Sequence, residues 1–431
     1  MAELAPPGVS TRRSPLERRL LGGIDPERIR AELAALGRTP SLTGHEEAAA
    51  ALAAGLLADA GADVRVVHDP DPTDILTDPA YPGSEVERSS LPVVIGTLGR
   101  PGRRRLVLNG HLDVVPAGDP ATWTTDPWGA EVRDGRLYGR GACDMKGGVA
   151  SILAAVRALA PHAGSFDGEL VVSLVPSEED GGSGTLSAIR NGAVGDMAVV
   201  PEPTRLQLIV AHAGAITFRL EVPGRAAHAS MRREGVSALD GLQVLLHALE
   251  ADEAVRNGAE TDPLMSALGL PYPTIVGKIA GGEWASTVLD RVVAEGRYGV
   301  RLGQSPAEAE AELRACIEAA SERDPWLRDH PARVEVTGGR FGSARADPNG
   351  ELSLGLAAAA RDVLGREPAR VGVPYGADMR LLIDEGRTPT VMFGPGDVAV
   401  AHSADEHVPL DEVVECARVL AVWASRELHR G

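Results

Sequence analysis

Asn109-Gly110-His111-Leu112-Asp113-Val114-Val115-Pro116 follows Arg103-Arg104-Arg105-Leu106-Val107-Leu108, where a basic cluster gives way to a short apolar run that reads as a buried strand. Alternate residues of an extended chain share a face, so His111 and Asp113 point the same way. That spacing lets a carboxylate hold one imidazole nitrogen while the other binds a metal. His-x-Asp also arises by chance at polar strand ends. Its meaning therefore depends on whether the rest of the chain supplies partners for His111.

With 431 residues the chain is too long for one ordinary core, which predicts two or three domains. The composition is globular, 44% apolar and 24% charged, and aromatics make up only 3%, so the core should be aliphatic and built of small residues. A formal charge of −18 argues against nucleic acid, because no basic surface is available to displace counterions from a phosphate backbone. Cys143, Cys316 and Cys416 are too scattered for a disulfide framework or a zinc finger, which predicts a reducing cytoplasm. The opening MAELAPPGVSTRRSPLERR lacks the apolar centre of a signal peptide, and the apolar run 149–160 is broken by Arg157 and too short for a bilayer, so no membrane association is expected.

Residues 1 to about 22 read as a loosely ordered lead-in. Pro26, following Asp25, opens a helix to about Leu36, and an Ala-rich helix runs from Glu46 to about Ala60. Strands are predicted at 63–67, 92–97, 106–108, 169–175 and 197–200, with helices at 147–159 and 183–191, and 68–90 is a polar loop. This alternation predicts an α/β domain with a mainly parallel central sheet. From about Leu206 the pattern changes. Residues 208–211 and 215–222 read as a hairpin turning at Gly214, followed by a helix at 236–249, strands at 274–280 and 292–300, and a helix at 306–322. The expectation is an α+β unit at 206–322 inserted into a discontinuous domain of 1–205 and 323–431, where helices at 352–364, 379–383 and 411–429 and a strand at 390–393 resume the α/β pattern.

Candidate metal ligands fall just past the carboxyl ends of these strands, where open α/β sheets bind their ligands. His111 follows 106–108, Glu178 and Glu179 follow 171–175, Glu202 follows 199–200, and His402 follows 390–393 after a Gly-Pro-Gly loop, while Asp144 opens the helix near Gly147. Imidazoles and carboxylates without a thiolate suit zinc or cobalt. Five ligands exceed what one open catalytic zinc takes but suit two metals sharing a carboxylate, and three carboxylates with one hydroxide neutralise two divalent ions. Such a pair acidifies a shared water and polarises a carbonyl. One of Glu178 and Glu179 is left over as a general base.

Gly110-His111-Leu112-Asp113-Val114-Val115-Pro116, Gly139-Arg140-Gly141 with Asp144-Met145-Lys146-Gly147-Gly148, Ser177-Glu178-Glu179, Pro201-Glu202-Pro203-Thr204 and Ala401-His402-Ser403, in that order, resemble the di-zinc amidohydrolases that include acetylornithine deacetylase, succinyl-diaminopimelate desuccinylase, aminoacylase and a glutamate-releasing carboxypeptidase. The resemblance covers nearly the whole chain. It implies that His111 and Glu202 bind one zinc and Glu179 and His402 the other, with Asp144 bridging, Asp113 orienting His111, and Glu178 as the general base acting on a metal-bridging water. It also implies a cis Asp144–Met145 peptide. Ser177 stands where the family usually has Asp.

The inserted unit resembles the family's lid and dimerisation domain. Gly224-Arg225-Ala226-Ala227-His228-Ala229-Ser230 resembles its histidine motif, implying a homodimer in which His228 reaches the other subunit's active site to stabilise the oxyanion. In Gly281-Gly282-Glu283-Trp284-Ala285-Ser286-Thr287-Val288-Leu289-Asp290, Ser286 and Leu289 replace the usual Asn and Pro, so substrate binding by Ser286 loses reach. Gly376-Ala377-Asp378-Met379-Arg380 resembles the segment whose arginine grips a substrate carboxylate, a task that suits a planar guanidinium. Arg301 is expected to be structural, Cys143 a buried filler, the Arg103–Arg105 cluster a solvated strand start, and Glu406 a support for His402.

The function implied is zinc-dependent hydrolysis (cobalt as a possible substitute) of the amide bond of an N-acyl amino acid or short peptide. The alternatives are a dipeptidase or aminopeptidase of the same fold, or a non-catalytic binding homologue.

Overall fold

The computed structural model describes residues 13–68 and 72–429. Its strands are β1 (Asp63–His68), β2 (Pro92–Gly99), β3 (Arg104–His111), β4 (Glu131–Arg133), β5 (Arg136–Tyr138), β6 (Gly168–Val175), β7 (Met197–Val200), β8 (Leu208–His212), β9 (Gly214–Pro223), β10 (Thr274–Gly281), β11 (Arg291–Val300), β12 (Arg333–Phe341), β13 (Ala344–Arg345), β14 (Arg370–Val373), β15 (Thr390–Met392) and β16 (His407–Pro409). The helices are α1 (Pro15–Gly22), α2 (Pro26–Gly37), α3 (Glu47–Asp59), α4 (Pro72–Leu76), α5 (Gly147–Leu159), α6 (Ser183–Arg190), α7 (Ala238–Gly258), α8 (Pro263–Ser266), α9 (Pro306–Arg323), α10 (Glu351–Leu364), α11 (Met379–Asp384) and α12 (Leu410–His429).

The α/β expectation holds. A nine-stranded sheet runs β1-β2-β6-β3-β7-β15-β8-β13, with β14 pairing β8. Its centre is parallel, since β3 pairs β6 and β7 in parallel and β15 pairs β7 the same way. The apolar runs 106–108, 170–172 and 197–200 are buried because a parallel strand is covered on both faces. One face packs an Ala/Leu/Val core with α2, α3, α5, α10 and α12. The other packs against α6 and α11 through Val107, Val171, Val200, Ile189 and Leu382.

A second, antiparallel sheet runs β10-β11-β9-β12. Its inner face holds Ile216, Phe218, Leu220, Val292, Ala294 and Tyr298 against Leu242, Leu245, Leu313 and Ile317 of α7 and α9, a core of its own. The hairpin expected across Gly214 is not formed. β8 stays in the large sheet, pairing β14 and β13, and the chain crosses at Ala213 to begin β9 in the small one. The small sheet therefore spans 214–341, with β12 beyond the expected limit at 322. Residues 208–212 are buried on both faces, whereas 214–223 alternates in burial, and this difference separates a strand covered on both sides from one covered on a single side.

The lead-in also differs from expectation. Residues 1–12 lie outside the described residues, but Pro15–Gly22 is a helix. Ser14 and Glu17 form a reciprocal capping box around Pro15, and Leu20 is buried against the main core. Among the described residues no helix is long and apolar enough to cross a membrane.

Candidate metal centre

Four neighbouring parallel strands, β6, β3, β7 and β15, end on the same edge of the large sheet, and each delivers one candidate ligand segment there. His111 is the last residue of β3 and is 1% exposed. Its Nδ1–H donates to the backbone oxygen of Asp113 at 2.9 Å. A carbonyl only accepts, so Nδ1 carries the proton and Nε2 is the ring nitrogen turned toward Asp144 and Glu202, at 3.0 and 4.0 Å. The Asp113 side chain does something other than expected. Its Oδ1 lies 3.7 Å from His111 Nδ1, while its two oxygens accept from the backbone N–H groups of Glu178 (3.0 Å) and Glu179 (3.1 Å) and from the Thr43 hydroxyl (3.1 Å). Asp113 thus pins the glutamate turn by its carboxylate and His111 by its backbone.

Asp144 precedes α5 in a kinked segment whose Asp144–Met145 peptide is cis, in agreement with the family resemblance. Glu406 holds this segment. Its carboxylate accepts from Cys143 N at 2.9 Å and Asp144 N at 3.1 Å and pairs with Arg140 at 2.5 Å. Glu406 therefore supports Asp144, not His402. The far oxygen of Asp144 lies 3.5 Å from His402 Nε2, which is also 3.1 Å from Glu179. Both His402 and Ser177, the residue before Glu178, have left-handed backbones at φ 58° and 68°. In non-glycine residues this costs roughly 1–3 kcal/mol and persists only where the surroundings over-determine it. For Ser177 those surroundings are its hydroxyl contacts to Asp180 and Ser183.

Two triads result, His111–Asp144–Glu202 and Asp144–Glu179–His402, each with donor atoms within 4.8 Å of one another and sharing Asp144. The electrostatics fit a cationic occupant. Burial, then neighbouring carboxylates, pushes Glu202 well above the usual carboxylate range and Glu179 up to about 7. Burial opposes a charge on His111, but Asp144, Glu202 and Asp113 hold it well above the ordinary histidine value. The contacts of His402 with Asp144 and Glu179 raise it to about 11. The carboxylates crowd together with only two imidazoles to offset them, a deficit that two divalent ions at the triads would remove.

Glu178 lies on the wall of a cavity of about 350 Å³ that also exposes Asp144, Glu179, Glu202 and His402. Among the described residues its carboxylate has no hydrogen-bond partner, and burial, followed by the charge of Asp378, raises its pKa well above the usual range. A carboxylate so placed holds a proton more readily than an ordinary one and faces the cavity in which a proton would be exchanged.

Three expected residues are not brought to this cavity. Arg380 is 3% exposed, and its guanidinium donates to the backbone oxygens of Gly181 (2.6 Å), Ala377 (3.2 Å) and Arg340 (3.3 Å) while lying over the Phe341 ring. It ties the glutamate turn to the small sheet through backbone oxygens, and it does not line the cavity. His228 and Ser286 stand on the exposed rim of the small sheet, His228 Nδ1 meeting the Ser230 hydroxyl at 2.9 Å. Arg301 pairs with Glu312, and the arginines at 103–105 pair with Asp167, Glu351 and Glu169, as expected of structural and solvated charges. Cys143 is a buried filler.

One residue that the sequence reading passed over does line the cavity. Arg297, on β11, donates to Pro374 O at 3.0 Å and meets no carboxylate within ion-pairing distance among the described residues. Its signal was available, because residues 292, 294, 298 and 300 of this strand are buried in the helix-covered core, which puts 297 on the opposite face.

A family model described as peptidase family M20/M25/M40 matches residues 107–426. The chain is 34% identical over 345 residues to the acetylornithine deacetylase of Myxococcus xanthus, covering 78% of this chain and 83% of that protein. It is 29% identical over 350 residues to the N-formyl-4-amino-5-aminomethyl-2-methylpyrimidine deformylase of Bacillus subtilis, covering 75% and 80% respectively. Among solved structures it resembles human carnosine dipeptidase 1, with a TM-score of 0.74 over 96% of this chain and 98% of that one at 19% identity, a likeness of fold.

Proposed function

The chain belongs to peptidase family M20/M25/M40 and is a hydrolase, and on that premise we propose that it cleaves the amide bond of an N-acyl amino acid or short peptide. The observation that carries this reading is the pair of triads sharing Asp144, with the unpartnered Glu178 carboxylate beside them. Two divalent ions, zinc or cobalt, held by His111 and Glu202 and by Glu179 and His402 with Asp144 between, would acidify a water molecule and polarise the scissile carbonyl. Glu178 takes the proton of the attacking water and returns it to the leaving amine. Asp113 fixes the turn that aims Glu178, through its bonds to the N–H groups of Glu178 and Glu179. Arg297 takes the substrate carboxylate, the role the sequence had suggested for Arg380.

The same reading treats the large sheet and its helices as the catalytic unit and the small sheet with α7 and α9 as a lid and dimerisation unit. A homodimer is supported by β10, an edge strand with Ile275 and Ile279 at 58% and 55% exposure. In that dimer His228 of one copy serves the oxyanion in the site of the other, and Ser286 stands beside it. A cytoplasmic location fits three unpaired cysteines.

A second reading, dipeptide hydrolysis, draws on Glu85, whose carboxylate lines the cavity mouth without an ion-pair partner among the described residues and offers a place for a free amine. A panel of N-acyl amino acids against dipeptides separates the two. Glu178→Ala should keep about two equivalents of divalent metal and lose roughly a thousandfold or more in kcat. Near-normal turnover by the metal-loaded variant would remove Glu178 from the reaction.

A further inference from the structure

Trp284 is 75% exposed, the largest value among the exposed large apolar side chains of the described residues. A single exposed tryptophan needs no explanation by itself. Its mounting is what matters. Trp284 stands in the loop between β10 and β11, and this loop is tied by backbone hydrogen bonds to the turn that carries His228: Ala229 N to Ser286 O at 3.0 Å and Val288 N to Ala227 O at 2.9 Å. Thr287 N closes a turn onto Trp284 O at 3.1 Å, and a β-bridge joins His228 to Thr287. Trp284 and His228 are therefore presented together, on one ordered knob.

The strand register says where that knob goes in a dimer. Ile275 of β10 lies opposite Arg297 of β11, which lies opposite Thr217 of β9, and Arg297 and Thr217 line the cavity. Two copies pairing antiparallel along the free edge of β10 bring the Gly281 end of one strand beside the Ile275 end of the other. With strands about 4.8 Å apart, in-register pairing then starts the loop of one copy two strand spacings, roughly 10 Å, from Arg297 on the cavity wall of the second. Charge is complementary as well. The knob carries Arg225, Arg232 and Arg233 against Glu234 and Glu283, a small positive excess, whereas the cavity is lined by Glu85, Glu178, Glu179 and Glu202.

We propose that Trp284 is a specificity residue supplied in trans: in the dimer it forms an apolar wall of the other copy's cavity and packs against the acyl group or side chain of the substrate. This rests on the dimeric hydrolase reading above. The cavity's carboxylates face an apolar wall of Pro203, Ala215, Phe341, Tyr375 and Val398, and the incoming indole extends that wall over a bulky apolar group.

The test uses the full-length protein and a graded series of N-acyl amino acids, from acetyl to a long or aromatic acyl group. Trp284→Ala should raise KM roughly tenfold or more for the bulky members while leaving the acetyl substrate nearly unchanged, with Trp284→Phe in between. A mixed dimer of one Trp284→Ala subunit and one Glu178→Ala subunit isolates the geometry. Its one live site lies in the Trp284→Ala chain and receives Trp284 from the other, so a wild-type KM for bulky substrates supports the proposal, and a raised KM overturns supply in trans. Unchanged KM values across the series in a proven Trp284→Ala dimer would overturn the specificity role while leaving the dimeric hydrolase intact. A chain that is active but monomeric at assay concentration would overturn both.

Discussion

The carboxyl edge of the large sheet and the knob of the small sheet are both candidate parts of one site, yet they are built in opposite ways. At the sheet edge, His111, Asp113 and Glu202 are 1%, 0% and 5% exposed, and their neighbours account for the polar groups around them. The backbone of Asp113 fixes the ring of His111, its carboxylate fixes the glutamate turn, and Glu406 fixes Asp144. On the knob, His228, Ser286 and Trp284 are equally well held by backbone bonds, but their side chains face outward. Buried polar groups need partners close by, so the residues that position the two triads all come from one copy, and the charge they leave over is what divalent ions would offset. Exposed groups carry no such demand, so a fully ordered knob can wait for a surface that its own chain does not provide.

The largest effect that would break this contrast comes from mixing two inactive variants. Glu178→Ala disables the sheet edge and His228→Ala the knob, each at a cost on the order of several kcal/mol of transition-state stabilisation. If the halves of a working site come from different copies, co-refolded mixtures should recover roughly a quarter of the wild-type rate, since half the dimers are mixed and each has one intact site. No recovery in mixtures shown by mass spectrometry to contain mixed dimers would mean that the knob does not act across the interface.

The next test separates two arginines that look alike in sequence. Arg380→Met should destabilise the fold by about 3 kcal/mol or more, because it strips donors from the carbonyls of Gly181, Ala377 and Arg340 in a buried setting. KM should change little in whatever remains folded. Arg297→Met should do the reverse, raising KM for carboxylate-bearing substrates roughly ten- to a hundredfold with little change in Tm. Urea titration and steady-state kinetics on both variants decide the matter, and a KM effect confined to Arg380 would return the carboxylate to the residue the motif pointed to.

These two arginines also mark where sequence stopped being sufficient. The triads were readable because position after an apolar strand determines the edge on which His111, Glu179, Glu202 and His402 emerge, whatever their rotamers. Arg380 and Asp113 show what a motif leaves open, because it names a side chain but not the direction in which a long or forked group is spent. The hairpin at Gly214 was misread because two adjacent strands with a glycine between them pair with each other only if no better edge exists, and β8 finds β14 and β13 instead. The first helix was missed because its anchor is a single buried residue, Leu20, docked on a core formed far away in the chain.

A smaller effect lies at the seam between the two regions. His212 ends β8 and stands two residues before β9, so it sits where the chain leaves the large sheet for the small one. It is fully buried, its Nδ1–H donates to Ala213 O at 2.8 Å, and Nε2 has no partner among the described residues. Burial, with a small contribution from Arg380, lowers its pKa from the ordinary 6.5 to about 4. The folded chain therefore holds this imidazole neutral where the unfolded chain takes up a proton. Below pH 6.5 the unfolded state binds more protons, so stability falls as pH falls, and the loss levels off near pH 4 once the folded state is protonated too. The cost from this one group is about 3 kcal/mol at most. Carboxylates of the metal centre titrate in the same range, so the measurement is a difference: urea unfolding of wild type and His212→Gln at pH 7 and pH 4.5. Gln keeps a donor for Ala213 O but takes no proton, so the variant should lose less stability on acidification, and parallel losses would rule out His212 as the source. The shape of the transition then bears on the contrast itself. If acid acts at the seam and the two sheets unfold together, one cooperative transition shifts as a whole; if the sheets are independent, the large-sheet transition moves and the small-sheet one stays in place.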